Sequence, residues 1–277
     1  MKKLFMHSHR LLQTLALASV FLLSGCEKTQ DVEPTASLGN DQKKAKTTET
    51  KIYYGDAVAI GDGTAWVWVE VMQGKPIAMG IEFTEGVLDG ISEEEMYEFV
   101  LPLPGPAHST GYKTVTIGWN PMGHEPTGVY TLPHFDFHFY MQTEGQIMQI
   151  AGGPDEGAWS LVGTVFPEYY TFGPEPFAVP HMGVHWSDVR SPEFSPAGFS
   201  RTFIYGSDDD RVTFLEPMIT LEYLESLAAG DSETLPVPSL LSYVDPGYYP
   251  QSYTVTHTTD GTYSIVLTDL MFRNRNR

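Results

Sequence analysis

The sequence predicts a mainly β fold, an antiparallel sandwich or partly closed barrel with two or three short helices. Three observations lead there. From residue 52 onward, aromatic and β-branched residues dominate many short stretches. The 26 Gly and 20 Pro of the 277-residue chain break those stretches at turn-like intervals. Helix-like patterns are few and brief, which argues against layered α/β designs.

The first element is a targeting segment, residues 1–25. Lys2, Lys3 and Arg10 supply its positive region, and the apolar run of residues 11–23 is too short to span a membrane. It closes with Leu23-Ser24-Gly25-Cys26, which resembles the bacterial lipoprotein processing box. That resemblance implies lipidation at Cys26 and attachment to a membrane through an N-terminal lipid anchor. Glu27, rather than Asp, follows the Cys, which by analogy with the lipoproteins of enteric bacteria implies transfer to the outer membrane. Cys26 is the only Cys, so no intrachain disulfide is available and stability must come from a core or a metal.

Residues 26–51 are polar and read as a flexible tether. Residues 52–277 are expected to form a single β-rich domain. Residues 57–60 and 65–71 flank Gly61-Asp62-Gly63-Thr64, a hairpin signal, and residues 77–83 make a third strand. Residues 91–95 open a short helix with Ser92 as its cap, ended by Pro102, Pro104 and Pro106. Residues 113–119 and 133–141 are strands, and residues 143–150 a short helix. Residues 201–205 and 212–219 pair across a turn at Asp208-Asp209-Asp210, and residues 221–229 form another helix. Residues 252–257 and 262–267 close the chain as a hairpin around Asp260-Gly261. The Pro-rich connections 154–180 and 234–250 are long, and long ordered loops often border sites.

Charge narrows the partners. Without residues 1–25, which carry three basic and no acidic side chains, 13 basic residues face 35 acidic ones, a net charge of −22. Nucleic acid and anionic lipid are disfavoured as partners, and cations are compatible.

The chemistry-bearing stretch is Pro133-His134-Phe135-Asp136-Phe137-His138-Phe139-Tyr140. On a strand, period two puts His134, Asp136 and His138 on one face and three Phe on the other. Five of the nine His lie between His124 and His185. Imidazoles with a carboxylate on a pleated face can hold a divalent transition metal such as zinc, iron, manganese or copper. Neighbours two apart are ~6.6–7 Å apart along a strand and can share an ion, but His134 and His138 are about twice that distance apart. A bulge would relieve this; otherwise one His pairs with Asp136, and the other serves a second ion, a hydrogen bond or a proton relay. Further ligands must come from His181 and His185, around a Gly, from Glu216, and from His124. The best set is His134 or His138 with Asp136, joined by His181 or His185 and Glu216, with His124 as a supporting donor or alternative ligand. The competing reading makes these satisfied polar residues on a half-buried strand.

Other signals carry less. Asp208-Asp209-Asp210 lacks calcium-loop spacing and reads as an exposed turn. The five Trp suit core packing better than a sugar platform. No phosphate loop, dinucleotide fingerprint, nucleophile elbow or His-Glu-x-x-His is present.

Met122-Gly123-His124-Glu125-Pro126, Gly128-Val129-Tyr130, the His-Phe-Asp-Phe-His core and residues 181–186 together resemble a bacterial exported domain family of unknown function. The family is typified by a small secreted Thermus protein under envelope-stress sigma-factor control. Residues 202–207 and 213–220 resemble it as well, so the likeness spans residues 52–228. It implies a β-rich exported domain, able to assemble into rings as a homo-oligomer, with no established activity. Cupins and alpha carbonic anhydrases are weaker matches, because their His-x-His pattern is interrupted here by Asp136. Three functions follow as expectations: metal or stress handling at the envelope, metal-dependent hydrolysis or oxygenation of an unknown small molecule, and non-catalytic assembly.

Overall fold

The computed structural model describes residues 49–276, so the expected signal peptide, Cys26 and nearly all of the expected tether lie outside the described residues. The chain opens with β1 (Thr50–Tyr54), β2 (Val58–Ile60), β3 (Gly63–Met72) and β4 (Lys75–Thr84). Next come β5 (Tyr97–Leu101), β6 (Thr114–Asn120), β7 (His134–Tyr140) and the single-turn α1 (Glu144–Ile147). Short β8 (Gly153–Pro154), β9 (Tyr170–Thr171) and β10 (Phe177–Ala178) precede β11 (Val184–Asp188), β12 (Arg201–Asp208) and β13 (Arg211–Thr220). After α2 (Leu221–Ser226) the chain ends in β14 (Ser232–Pro236), β15 (Gly247–Tyr249), β16 (Ser252–His257), β17 (Thr262–Thr268) and β18 (Met271–Arg273).

Fourteen of these strands make two open antiparallel sheets, while β8 pairs with β10 and β15 with β18 as separate two-stranded ladders. The first runs β1-β3-β4-β17-β16-β14 with β2 added on β3, and the second runs β5-β6-β7-β13-β12-β11-β9. Neither closes on itself, so the fold is a sandwich rather than a barrel. Ala65, Val67 and Val69 of β3 point into the core, as alternation requires. From the second sheet, Phe135, Phe137 and Phe139 enter the same core, and the Phe83 ring of β4 stacks on Phe137 at 5.8 Å.

The two sheets differ in one respect that matters for function. β3 and β16 alternate buried with half-buried residues, whereas every residue of β6 and β7 is buried. An antiparallel sheet usually wets one face. Here the outer face of the second sheet is roofed by connections, chiefly those from residues 121–133 and from the Pro-rich segment after β8.

Both expected hairpins form: Ile60 pairs with Gly63, and His257 with Tyr263. Asp208 pairs with Arg211 across an exposed turn, and β12 pairs with β13. Residues 91–95 are a correction. The Ser92 hydroxyl does accept from the Glu94 and Glu95 amides, at 3.2 and 3.0 Å, but no helix follows. The acidic run has no apolar stripe to bury, and the chain instead enters β5, which pairs with β6. β1 begins at Thr50, ahead of the expected domain boundary at residue 52, because Thr50 and Lys51 pair with Met72 and Val71. No helix among the described residues is long and apolar enough to cross a membrane.

Candidate metal centres

β7 carries His134, Asp136 and His138 on its outer face, beneath the roof, with exposures of 0%, 5% and 1%. Its neighbours are β6, where Gly118 lies opposite Asp136, and β13, where Met218 does. The β7–β13 register pairs Leu215 with Phe139 and Met218 with Asp136, and skips Glu216 and Pro217. Pro217 has no amide hydrogen to donate, so the ladder opens there. Glu216 turns its carboxylate toward His138 at this gap.

The ligand-type side chains form two groups, each of two imidazoles and one carboxylate: His124, His134, Asp136 and His138, His185, Glu216. In each group the ligand atoms lie within 4.8 Å of one another. In the first, Asp136 Oδ1 is 3.1 Å from His134 Nε2 and Oδ2 is 3.5 Å from His124 Nε2. In the second, Glu216 Oε1 is 3.4 Å from His138 Nε2 and Oε2 is 3.9 Å from His185 Nε2.

Hydrogen bonds behind the rings fix which nitrogen faces inward. His124 Nδ1 lies 2.7 Å from the Glu125 carbonyl, and His134 Nδ1 lies 2.6 Å from the Leu132 carbonyl. A carbonyl can only accept, so both Nδ1 atoms donate and Nε2 carries the lone pair when the ring is neutral. The Thr116 hydroxyl donates to Glu98 at 2.6 Å, leaving its lone pairs for His138 Nδ1 at 3.4 Å. The Gly183 backbone supports His185 through a hydrogen bond. Such outer partners are the usual companions of metal-binding His. Asn120 donates to Asp136 Oδ2 at 2.7 Å and orients that carboxylate.

The inward atoms are unpaired. His134 Nε2, Asp136 Oδ1, His138 Nε2 and Glu216 Oε2 are buried without a hydrogen-bond partner. Buried polar atoms of this kind cost roughly 1–3 kcal/mol each unless something meets them. A cation in each group would meet them.

Electrostatics separate the groups. Burial alone would raise Asp136, but the facing His124 and His134 rings outweigh it and hold the carboxyl far below its usual range. Burial works against a charged His124, yet Asp136 prevails and raises it. In the second group burial dominates: it lowers His138, pushes His185 down to about 3 and raises Glu216 well above a normal carboxyl. The first group thus favours a carboxylate at Asp136, whereas burial disfavours charge on every member of the second.

His185 reaches Glu216 because of Gly206. That residue pairs with His185 on one side and Phe214 on the other. An added Cβ would lie 2.0 Å from the Phe214 ring, so only Gly lets the ring lie flat there. His138 and His185 pack against the edges of that ring, at 5.0 and 5.1 Å between centroids.

A cleft of about 640 Å³ opens onto both groups, its walls including His124 and Asp136 of one and His185 of the other. Thr171, Phe172, Pro174 and Phe177 of the Pro-rich connection line its far side. The other long connection, residues 234–250, contributes nothing to it.

His181 joins neither group, in contrast to expectation. It is exposed in a turn with φ +65°, while Gly183 lets the backbone pass close to the Ser207 carbonyl and starts β11, carrying only His185 inward. Asp136 does not pair with His138, and His124 stands in the first group as a full member. Sequence reasoning missed Asn120, Thr116 and Glu98. Their positions on β6 and β5 follow period two, but only strand pairing brings them beside β7. His257 is a strand residue far along the other sheet. No protein-family model, curated protein or solved structure matches this chain.

Proposed function

We propose that this is a lipid-anchored protein of the bacterial envelope that binds divalent transition metal at two centres of two His and one carboxylate each, serving metal or stress handling. The carrying observation is that His134 Nε2, Asp136 Oδ1, His138 Nε2 and Glu216 Oε2 are buried without partners, beside His124 and His134 rings whose Nδ1 atoms are already committed. Two imidazoles with one carboxylate suit zinc, ferrous iron, manganese or copper and leave coordination positions for exogenous oxygen donors. The resemblance to an exported, stress-regulated domain family and the processing box at Cys26 support the envelope assignment.

A metal-dependent hydrolase or oxygenase is the second reading, favoured by the cleft that reaches ligands of both centres. A bound ion there would polarise a substrate oxygen or activate water.

Elemental analysis of the full chain purified without a His tag tests the proposal, beside His134→Ala and His138→Ala. Two equivalents of metal in the wild type, reduced to one in either variant, are expected. No metal after reconstitution with zinc, manganese, iron(II) and copper would overturn it.

A further inference from the structure

The cleft has a charge problem that only one kind of ligand solves. Its walls are largely apolar, with Met96, Phe172, Pro174, Phe177, Phe194 and Ile204 among them. None of the described residues lining it is Lys or Arg, and Glu125 and Asp136 are acidic. With no ion at its floor the cleft repels anions. A divalent ion at each centre reverses this, because their four positive charges exceed the three carboxylates of Asp136, Glu216 and Glu125 by one. Apolar walls strengthen that field relative to water.

Resting on the two-centre metal reading above, we infer that the cleft binds an apolar monocarboxylate: a hydrophobic body against the aromatic wall and a carboxylate on the metal. A volume of about 640 Å³ lies within the range of small-molecule sites. A carboxylate supplies the oxygen donors that these ions accept and neutralises the surplus charge. A sugar would leave its hydroxyls, and a nucleotide its ribose and base edges, unpaired against Phe and Pro. A cationic ligand would meet like charge at the loaded floor. The metal thereby acts as the anion receptor that the protein's own side chains do not provide.

The test uses the full chain loaded with zinc, with metal content measured in every sample. Binding of 4-phenylbutyrate is compared by calorimetry with that of 4-phenylbutan-1-ol, which has the same apolar body and no charge. The loaded protein is expected to prefer the acid at least tenfold and to lose the preference once stripped by chelator. Phe177→Glu, on an exposed wall residue outside both centres, is expected to keep its zinc and to weaken the acid at least tenfold. Equal binding of acid and alcohol by protein holding stoichiometric zinc would overturn the ligand class and leave the metal reading standing. A preference that survives stripping, or acid binding unaffected in Phe177→Glu, would also overturn it. Protein that takes up no zinc would overturn both.

Discussion

At the residue scale, the same side chain serves opposite ends in different surroundings. His134, His138 and His257 all sit on strands and are all buried. The first two turn an unpaired Nε2 toward a carboxylate, whereas both nitrogens of His257 have partners. His257 Nδ1 lies 2.8 Å from the Leu227 carbonyl, and Nε2 lies 2.7 Å from Glu85 Oε1. Both partners accept, which favours the imidazolium and raises its pKa, first by the Leu227 carbonyl and then by Glu85. A raised folded-state pKa means the stabilisation is fully present below the ordinary value of 6.5 and is lost as pH rises through the folded pKa. Glu85 is half exposed, so the pair contributes no more than about 1 kcal/mol. Glu85→Gln is expected to lower stability by up to that amount at pH 5 and by nothing measurable at pH 9. Urea unfolding at the two pH values decides it.

At the element scale, β12 sets the second centre without supplying a ligand. Gly206 lets the Phe214 ring lie on the sheet, and the ring in turn borders both His138 and His185. Gly206→Val would drive that ring off the sheet. A cost of about 1–3 kcal/mol is expected from overpacking. Metal analysis should show one centre lost, that of His138, His185 and Glu216, and the other kept, since His124 and His134 do not touch Phe214. Loss of both ions, or of neither, would contradict this division. The gap at Pro217 belongs to the same scale. Across it the register continues unshifted, Leu215 with Phe139 and Met218 with Asp136, and so sets Glu216 opposite His138.

For the whole molecule, the sandwich core and the centres occupy opposite faces of one sheet. Phe135, Phe137 and Phe139 anchor β7 to the first sheet, which holds its outer face steady for the ligands. Ions that bind only the folded state stabilise it by mass action, by ~2.7 kcal/mol for one site at a hundredfold excess over Kd. Removing both ions with chelator should therefore lower the melting temperature on the order of 10–20 °C for a domain of this size. An unchanged melting temperature in protein shown to have carried metal would mean that the centres are not coupled to folding. The His134→Ala/His138→Ala double variant should melt at a temperature indifferent to chelator.

Local pattern was enough for the mainly β class, the main hairpins, and the outward placement of His134, Asp136 and His138. Alternation and turn chemistry act between neighbours, and both are written in consecutive residues. The same spacing argument separated His134 from His138, because strand rise is nearly independent of context. Tertiary structure alone decided the partnership of each. Which carboxylate meets which imidazole depends on register between strands remote in sequence, as when β13 brings Glu216 to His138 and the loop before β7 brings His124 to Asp136. His181 and His185 look equivalent in sequence, and only the turn at Gly183 leaves one in solvent and sends the other inward. The apparent cap at Ser92 likewise made its hydrogen bonds without a helix, because pairing of β5 with β6 satisfied more backbone than an unburied acidic helix could.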